Sequence, residues 1–133
     1  MTDSETATMK PKRKKPVSAT KMSLDLLRKR GCSVGIVEKW NTHVGIRQDL
    51  FGFVDLVVVL PTGEPFFVQT TTGAGVADRI DKILGIVAEP GKEPLAALVR
   101  SGRVVVHGWR KTNDRERGAR KTWACREVVV TIE

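Results

Sequence analysis

The segment from Asp49 to Thr72 constrains the fold of this chain more than any other stretch. It contains two apolar runs of strand length, Val54–Leu60 and Phe66–Thr71, separated by the segment Pro61–Gly63. Proline, threonine and glycine in this order are typical of a three-residue hairpin loop, a type I turn closed by a left-handed glycine. The segment therefore predicts a β-hairpin, which we place at the centre of the fold.

Polar side chains occupy positions in both strands where a purely structural strand needs none. Asp55 lies near the start of the first strand, and Gln69, Thr70 and Thr71 end the second. A turn centred on Thr62 pairs position 55 with position 69. Directly paired residues share a face of the sheet, and so do residues two apart on one strand. We therefore expect Asp55, Gln69 and Thr71 to project from one side of the hairpin.

The charge balance points to a polyanionic partner. The 133 residues carry a formal net charge of +8, and the isoelectric point is about 9.9. An excess of this size favours a polyanion, most often a nucleic acid, although a basic protein without an acidic partner is the alternative. The length and the 41% hydrophobic fraction fit a single domain with its own core.

Nothing in the sequence indicates a membrane or an oxidising compartment. No apolar run approaches the length of a membrane span, and the N-terminus lacks the apolar core of a signal peptide. Cys32 and Cys125 are too few and too far apart for a disulfide framework or a zinc site, so we expect both to be reduced. These features predict a cytoplasmic protein without membrane contact.

Residues 1–18 are expected to form a disordered basic tail, and residues 19–133 a single domain. The tail is rich in Thr, Ser, Lys and Pro and has almost no large apolar residue. A run of positive charges there would contact phosphates without reading sequence; its central members are Lys12, Arg13, Lys14 and Lys15. A tail that only aids solubility, or a nuclear import signal, has the same composition.

Hydrophobic periodicity predicts the remaining elements. The predicted helices are Thr20–Arg30, capped by Ser23 or Thr20, and Val76–Leu84, and the predicted strands outside the hairpin are Cys32–Trp40, Arg103–Arg110 and Thr122–Ile132. The apolar segment Leu95–Val99 is too short to assign, and residues 111–121 are predicted to be a loop rich in charge. The order of helix, three strands, helix and two strands indicates an α/β fold.

This order resembles the αβββαβ core of the PD-(D/E)XK nuclease superfamily over roughly Thr20–Arg110. The likeness is closest to the Holliday junction resolvase-like members of phages and mobile elements. In that superfamily an aspartate opens the second core strand, which Asp55 matches, and a Glu-x-Lys triplet lies on the third strand. The triplet aligns with Gln69–Thr71, so the glutamate is replaced by an amide and the lysine by a hydroxyl. The resemblance implies a restriction-endonuclease-like domain, a mixed central sheet flanked by helices, with an extra C-terminal strand.

The resemblance also implies a catalytic Mg²⁺ or Mn²⁺ ion. Such a cation polarises the phosphate and activates the attacking water, and it prefers oxygen ligands. Asp55 and Gln69 are the expected ligands, and Glu38 and Asp49 are further candidates. Glu38 is alternatively a solvated strand residue, and Asp49 a cap of the turn that follows it.

The positive charge of the missing lysine needs a substitute. Thr71 occupies its position but cannot supply a charge, and Lys82 on the second helix would place an ammonium group nearby if that helix packs over the hairpin. Together with Asp55 and Gln69, these two residues form the expected catalytic set. The alternative for Lys82 is a plain surface residue of the helix.

Further cations are candidates for DNA contact. Outside the tail they are Arg47, Arg79, Arg110, Lys111, Arg117, Arg120 and Lys121. Trp109 and Trp123 flank the charged loop and would either stack on a base or sugar, or belong to the core. His43 and His107 lack metal-ligand spacing and are expected to be structural or surface residues.

Three functions remain open from the sequence. The first is a metal-dependent endodeoxyribonuclease that acts on branched or otherwise structured DNA. The second is a catalytically inactive descendant that keeps the nuclease fold and binds nucleic acid. The third is an interaction protein whose basic tail engages an acidic partner. Resolvase-like members act as dimers, which suits the two-fold symmetry of a junction and is compatible with a homodimer here, although no stretch of the sequence identifies an interface.

Overall fold

The protein is an α/β domain built on one open, mixed sheet. The computed structural model describes residues 18–114 and 120–132. In chain order the elements are α1 (Ala19–Lys29), β1 (Ser33–Ile36), β2 (Lys39–Asn41), β3 (Ile46–Gln48), β4 (Leu56–Val59), β5 (Pro65–Thr72), a 3-10 turn (Gly73–Gly75), α2 (Val76–Val87), α3 (Glu93–Arg100), β6 (Val104–Asp114) and β7 (Arg120–Val129).

The main sheet has the strand order β1-β4-β5-β6-β7. Its β5 and β6 are parallel and are connected through α2 and α3, whereas the other neighbouring strands are antiparallel. Strands β2 and β3 form a separate two-stranded hairpin. The described strands and helices thus follow the predicted α/β order, with one inserted hairpin and one additional helix.

The central hairpin has the predicted register. Leu56 pairs with Val68 and Val59 with Pro65, so the turn is centred on residue 62. The Gly63 amide donates to the Leu60 carbonyl at 2.8 Å, and Gly63 has φ +92°, the left-handed conformation that glycine adopts without strain. The three-residue loop therefore forms as its sequence predicts.

Both faces of the sheet are covered, which explains why the hairpin strands are continuously apolar. On one face Leu56, Val58 and Val68 pack with Leu27 of α1. On the other face the strands pack beneath α2 and α3, in a larger cluster that contains Phe53, Val54, Val76, Ile83, Val99, Val104 and Val106. Alternate residues of β4 and β5 consequently belong to different cores.

Helix α1 begins earlier than its predicted caps. The Ser18 hydroxyl accepts the Lys21 amide at 3.0 Å and caps the helix, so neither Ser23 nor Thr20 has that role. Ser23 is instead buried inside the helix. The helix ends before Gly31, which has φ +86° and stops it as predicted.

Two predicted segments differ from the structure, and one segment without an assignment is now assigned. The first predicted strand divides into β1 and β2, because the chain leaves the main sheet after Val37 donates to the Asp55 carbonyl. The segment that was too short to assign is the helix α3. The predicted loop 111–121 is strand at both of its ends, since β6 continues to Asp114 and β7 starts at Arg120. Its residue Arg117 and the tail residues Lys12–Lys15 lie outside the described residues.

One end of the sheet gathers the polar residues predicted from the sequence. At this end, which we call the site edge, β1 and β5 finish and β4 begins, as the pairing of Ile36 with Leu56 and of Leu56 with Val68 requires. The hairpin of β6 and β7 extends beyond this edge. Within the described ranges, no helix combines the length and apolarity needed to cross a membrane.

Candidate metal centre

Three carboxylates from separate parts of the chain converge at the site edge. Glu38 follows β1, Asp49 follows β3, and Asp55 precedes β4. One oxygen from each side chain lies within 4.8 Å of the others. The break after β1 is what turns Glu38 toward Asp55, and the β2–β3 hairpin returns the chain so that Asp49 lies beside both.

Asp55 is the most buried of the three, with 5% of its surface exposed. Its Oδ2 accepts the Thr70 amide at 2.8 Å and the Thr70 hydroxyl at 3.1 Å. Burial, followed by the proximity of Asp49 and Glu38, raises the pKa of Asp55 to about 7, and the Thr70 amide offsets only part of this. The site therefore holds a carboxyl group that ionises far more readily when a cation is present.

Gln69 contributes a buried carbonyl that lacks a partner. The residue is 2% exposed, and its Oε1 has no hydrogen-bond donor within the part of the chain that the structure describes. A buried polar atom left unpaired costs about 1–3 kcal/mol. Since Gln69 lines the same cleft as the three carboxylates, a ligand bound there would remove this cost.

The cleft itself has a volume of about 340 Å³ and opens between α1 and α2. The start of α1 forms one wall, where the Thr20 hydroxyl contacts the Thr70 hydroxyl at 2.8 Å and donates to Glu38 Oε2 at 3.5 Å. Arg79 of α2 lies on the other side. Thr20 therefore connects the start of α1 to Thr70 and lies within reach of Glu38.

The donor set fits a hard divalent cation. Three carboxylates and an amide carbonyl offer the oxygen ligands that Mg²⁺, Mn²⁺ and Ca²⁺ accept. Ligands on opposite sides of Mg²⁺ lie about 4 Å apart, and those of Ca²⁺ about 5 Å apart. Because the carboxylate oxygens are already within 4.8 Å of one another, binding would need only a small closure of the cluster.

The two predicted substitutes for the lysine lie in different environments. Thr71 does not line the cleft; its hydroxyl faces the backbone of Gly75, where a Cβ atom would lie only 2.5 Å from Oγ1. Lys82 is nearer to the cluster, with Nζ 3.8 Å from Asp49 Oδ2 and a side chain that is 40% exposed. Of the three residues predicted to project from one side of the hairpin, Asp55 and Gln69 line the same cleft and Thr71 does not.

Several of the predicted DNA-contact cations lie near the site edge. Arg110 and Lys111 are on the part of β6 that extends past this edge, and the Lys111 ammonium lies 5.2 Å from the centre of the Trp123 ring. Arg110 also lines a second concavity of about 520 Å³ with Gly73 and Arg126. No pattern in the sequence singled out Arg126, because it follows Cys125 in an ordinary run of strand residues.

For other predicted cations only the backbone is placed. Arg47 lies in β3, and Arg120 and Lys121 lie at the start of β7. The last two belong to the hairpin that extends past the site edge.

A buried Ser-His-Glu chain is structural. Trp109 Nε1 donates to Ser23 Oγ at 2.8 Å, the Ser23 hydroxyl is 2.9 Å from His107 Nδ1, and His107 Nε2 is 3.2 Å from Glu127. Ser23 and His107 are 0% exposed, so no substrate reaches them. Burial lowers the pKa of His107, and the chain joins α1 to the sheet. The structural role predicted for His107 is confirmed, and Trp109 belongs to the core.

Comparisons with protein-family models, with curated proteins and with solved structures each return no match for this chain. The nuclease resemblance therefore stays a prediction.

Proposed function

We propose that this protein is a divalent-metal-dependent endodeoxyribonuclease. The observation that carries the proposal is the buried Oε1 of Gln69, which has no donor among the described residues and lines the same cleft as three converging carboxylates. An acidic cluster alone is common on protein surfaces. A buried neutral carbonyl that completes the same ligand set is not needed for solubility and is costly without a ligand.

The proposed ligands are Asp55, Glu38, Asp49 and Gln69. Asp55 is already oriented by Thr70, and Glu38 by Thr20. Such contacts fix the direction of a ligand and are expected around a functional metal site. The amide in place of a glutamate removes one negative charge, so we expect weaker binding than in a site with four carboxylates, and Mn²⁺ to bind more tightly than Mg²⁺.

A bound cation would supply Lewis acidity, which polarises a phosphodiester and lowers the pKa of the attacking water. In the hydrolysis, the water oxygen forms a bond to phosphorus and one ester P–O bond breaks. One proton of the water goes to solvent through a carboxylate or a second water, and one ends on the departing oxygen. Asp49 and Glu38 are more exposed than Asp55. Either carboxylate would accept the proton that the attacking water loses to solvent.

DNA as the substrate is supported by the charge distribution. The net charge of +8 and the basic tail favour a polyanion. Arg110, Arg126 and Lys111 add cations on β6 and β7, the two strands that extend past the site edge, and the two arginines line a separate concavity. Branched DNA as the preferred form, the cytoplasmic location and a dimer rest on the sequence resemblance and composition, and are part of the proposal.

The proposal is tested by incubating the protein with supercoiled plasmid and with a synthetic four-way junction. Each reaction contains Mg²⁺, Mn²⁺ or EDTA. We expect metal-dependent cleavage that is lost in Asp55→Ala, because that variant removes the ligand held by Thr70. Asp25→Asn is the matched control, since Asp25 is exposed and paired with Lys21 on α1. Equal cleavage by Asp55→Ala would refute the assignment of the site.

The role of Gln69 is tested by metal binding. Gln69→Glu adds the fourth carboxylate, so we expect Mn²⁺ to bind at least tenfold more tightly in calorimetry. Thr62→Glu adds the same charge in the exposed turn at the opposite end of the central hairpin and should change the affinity little. Unchanged Mn²⁺ affinity in Gln69→Glu would remove Gln69 from the ligand set.

The second candidate is a DNA-binding protein that has lost catalysis. It is favoured by the position of Thr71, which presents a hydroxyl to Gly75 where the nuclease motif has a lysine. Tight, salt-sensitive DNA binding without cleavage in any metal would support it. Absence of both binding and cleavage near physiological salt would leave the interaction protein as the remaining candidate.

A further inference from the structure

We propose that Arg79 binds the non-bridging oxygens of the scissile phosphate and supplies the positive charge that the strand β5 lacks. The inference rests on the proposed function, because it assumes that a phosphodiester enters the cleft. It assigns the role of the missing lysine to a residue that differs from Thr71 and Lys82, the two that the sequence suggested.

The first observation is the position of Arg79. It lines the same cleft as Asp55, Glu38, Asp49 and Gln69, on the wall formed by α2. Its side chain is partly buried. A guanidinium on the rim of an oxygen-rich metal site is positioned to contact an anion that the metal also binds.

The second observation is that none of the described residues, in the ranges 18–114 and 120–132, is a hydrogen-bond or ion-pair partner of Arg79. Lys82, in contrast, lies 3.8 Å from Asp49 and so is already engaged by one of the proposed ligands. A partly buried cation without a partner retains all its donors for a substrate.

Arg79 and Lys82 lie at different angles around the axis of α2. Arg79 is three residues after Val76 and four residues before Ile83, both of which are buried against the sheet. With 3.6 residues per turn, Arg79 therefore lies beside the face of α2 that meets the sheet. Lys82 immediately precedes Ile83 and is rotated by about 100° from it, which agrees with its greater exposure. Of these two cations, only Arg79 lines the wall of the cleft.

The chemistry of the guanidinium suits this position. Its planar donors match two phosphate oxygens at once, whereas an ammonium acts as a point charge. As water attacks, negative charge builds on the non-bridging oxygens, and a donor already aimed at them stabilises the transition state more than the ground state. Arg79 would therefore affect kcat more than KM.

The kinetic test compares Arg79→Gln, Arg79→Lys and Lys82→Gln on the DNA that the wild type cleaves. We expect Arg79→Gln to lower kcat by about 10²–10³-fold, with Arg79→Lys recovering part of the loss. Arg28→Gln on α1 removes an arginine remote from the cleft and is the charge-matched control. A large loss of kcat in Lys82→Gln with normal cleavage by Arg79→Gln would overturn the proposal.

A binding test separates this inference from the proposed catalysis. Fluorescence anisotropy measures the Kd for a labelled four-way junction in Ca²⁺ and again in EDTA, and a thermal shift with Mn²⁺ reports on the metal site. We expect Arg79→Gln to raise the Kd for DNA at least tenfold in Ca²⁺ and to change it little in EDTA. The rise in melting temperature that Mn²⁺ causes should equal that of the wild type. If the wild type fails to cleave yet shows this pattern, the proposed catalysis fails and the role of Arg79 stands.

Two outcomes would refute the role of Arg79. One is a Kd of Arg79→Gln in Ca²⁺ equal to that of the wild type. The other is an equal loss of DNA affinity in Ca²⁺ and in EDTA, which would make Arg79 a phosphate contact that does not depend on the metal. If Arg79→Gln does not fold, Arg79→Lys decides, because it keeps the charge and much of the packing. If folded Arg79→Lys has the kcat of the wild type, the planar donors of the guanidinium are not needed.

Discussion

Asp55 is a buried carboxylic acid that stability alone would not select. Its burial and its proximity to Asp49 and Glu38 oppose ionisation, and Thr70 compensates only in part. Groups of this kind are retained when a ligand or a reaction needs them, at a cost to the stability of the free protein. The stability of the metal-free protein is therefore a direct probe of the site.

Replacement of Asp55 by Asn is expected to stabilise the metal-free protein by about 1–2 kcal/mol at pH 8. The amide oxygen can still accept the Thr70 amide, while the repulsion with Asp49 and Glu38 disappears. Thermal denaturation in EDTA measures the gain. Addition of Mn²⁺ should raise the melting temperature of the wild type and leave Asp55→Asn unchanged. A less stable Asp55→Asn with a normal Mn²⁺ shift would contradict both parts.

The stabilisation by Asp55→Asn should depend on pH in a defined direction. The pKa of Asp55 is about 7 in the folded protein and 3.8 in its ordinary state, so between these values the folded state holds a proton that the unfolded state has released. The contribution of Asp55 to stability therefore falls as pH rises from about 4 to 7 and is constant above. The difference between variant and wild type should grow over that window, and a flat difference would argue against the raised pKa.

Helix α1 is attached to the sheet by hydrogen bonds as well as by apolar packing. Ser23 accepts from Trp109 and contacts His107, and all three are buried. The N-terminus of the same helix forms a wall of the cleft through Thr20. The packing of this one element consequently determines both the stability of the domain and the shape of the site.

Ser23→Ala is expected to destabilise the protein by about 1–3 kcal/mol. The substitution leaves the Trp109 Nε1–H and the His107 Nδ1 without their partner in a site that water does not reach. Urea denaturation should show a lower midpoint with an unchanged slope. Ser33→Ala, on the exposed strand β1, is the control and should have little effect. A midpoint equal to that of the wild type would mean that the network is not stabilising.

At the scale of the whole molecule, charge is distributed unevenly around the site edge. The acidic cleft lies where β1, β4 and β5 meet, and the extended hairpin of β6 and β7 carries Arg110, Lys111 and Arg126 beside it. Under the proposed function, one DNA strand that follows this edge would contact the cations of the hairpin and the proposed metal ligands. Strand spacing and rise place Arg110 roughly 14 Å from Gln69, about four nucleotide steps.

Removal of the hairpin arginines is expected to weaken DNA binding in a salt-dependent way. For Arg110→Gln with Arg126→Gln, the slope of log K against log salt should fall by about one for each phosphate that is no longer neutralised. Anisotropy titrations in EDTA over a series of salt concentrations measure it. Arg100→Gln, at the end of α3, is the control. An unchanged slope would exclude these residues from the DNA surface.

The local parts of the fold were predictable from the sequence. The register of the central hairpin follows from the turn residues Pro61–Gly63, and α2 follows from apolar residues at helical spacing. Asp55 and Gln69 stood out because polar residues interrupt apolar strands. The inserted hairpin and the start of α1 at Ser18 were missed, because short strands and competing caps have weak local signals.

The sequence by itself determined the α/β order, the central hairpin, and the two polar residues that mark its end, because these depend on turn chemistry and on residue spacing within single elements. Only the tertiary structure decided that Glu38 and Asp49 join Asp55, that Ser23 is buried, and that Arg79 borders the cleft. These relations depend on how the chain leaves β1, returns through a second hairpin and packs α2 on the sheet. Contacts between residues far apart in sequence have no local periodicity from which to predict them.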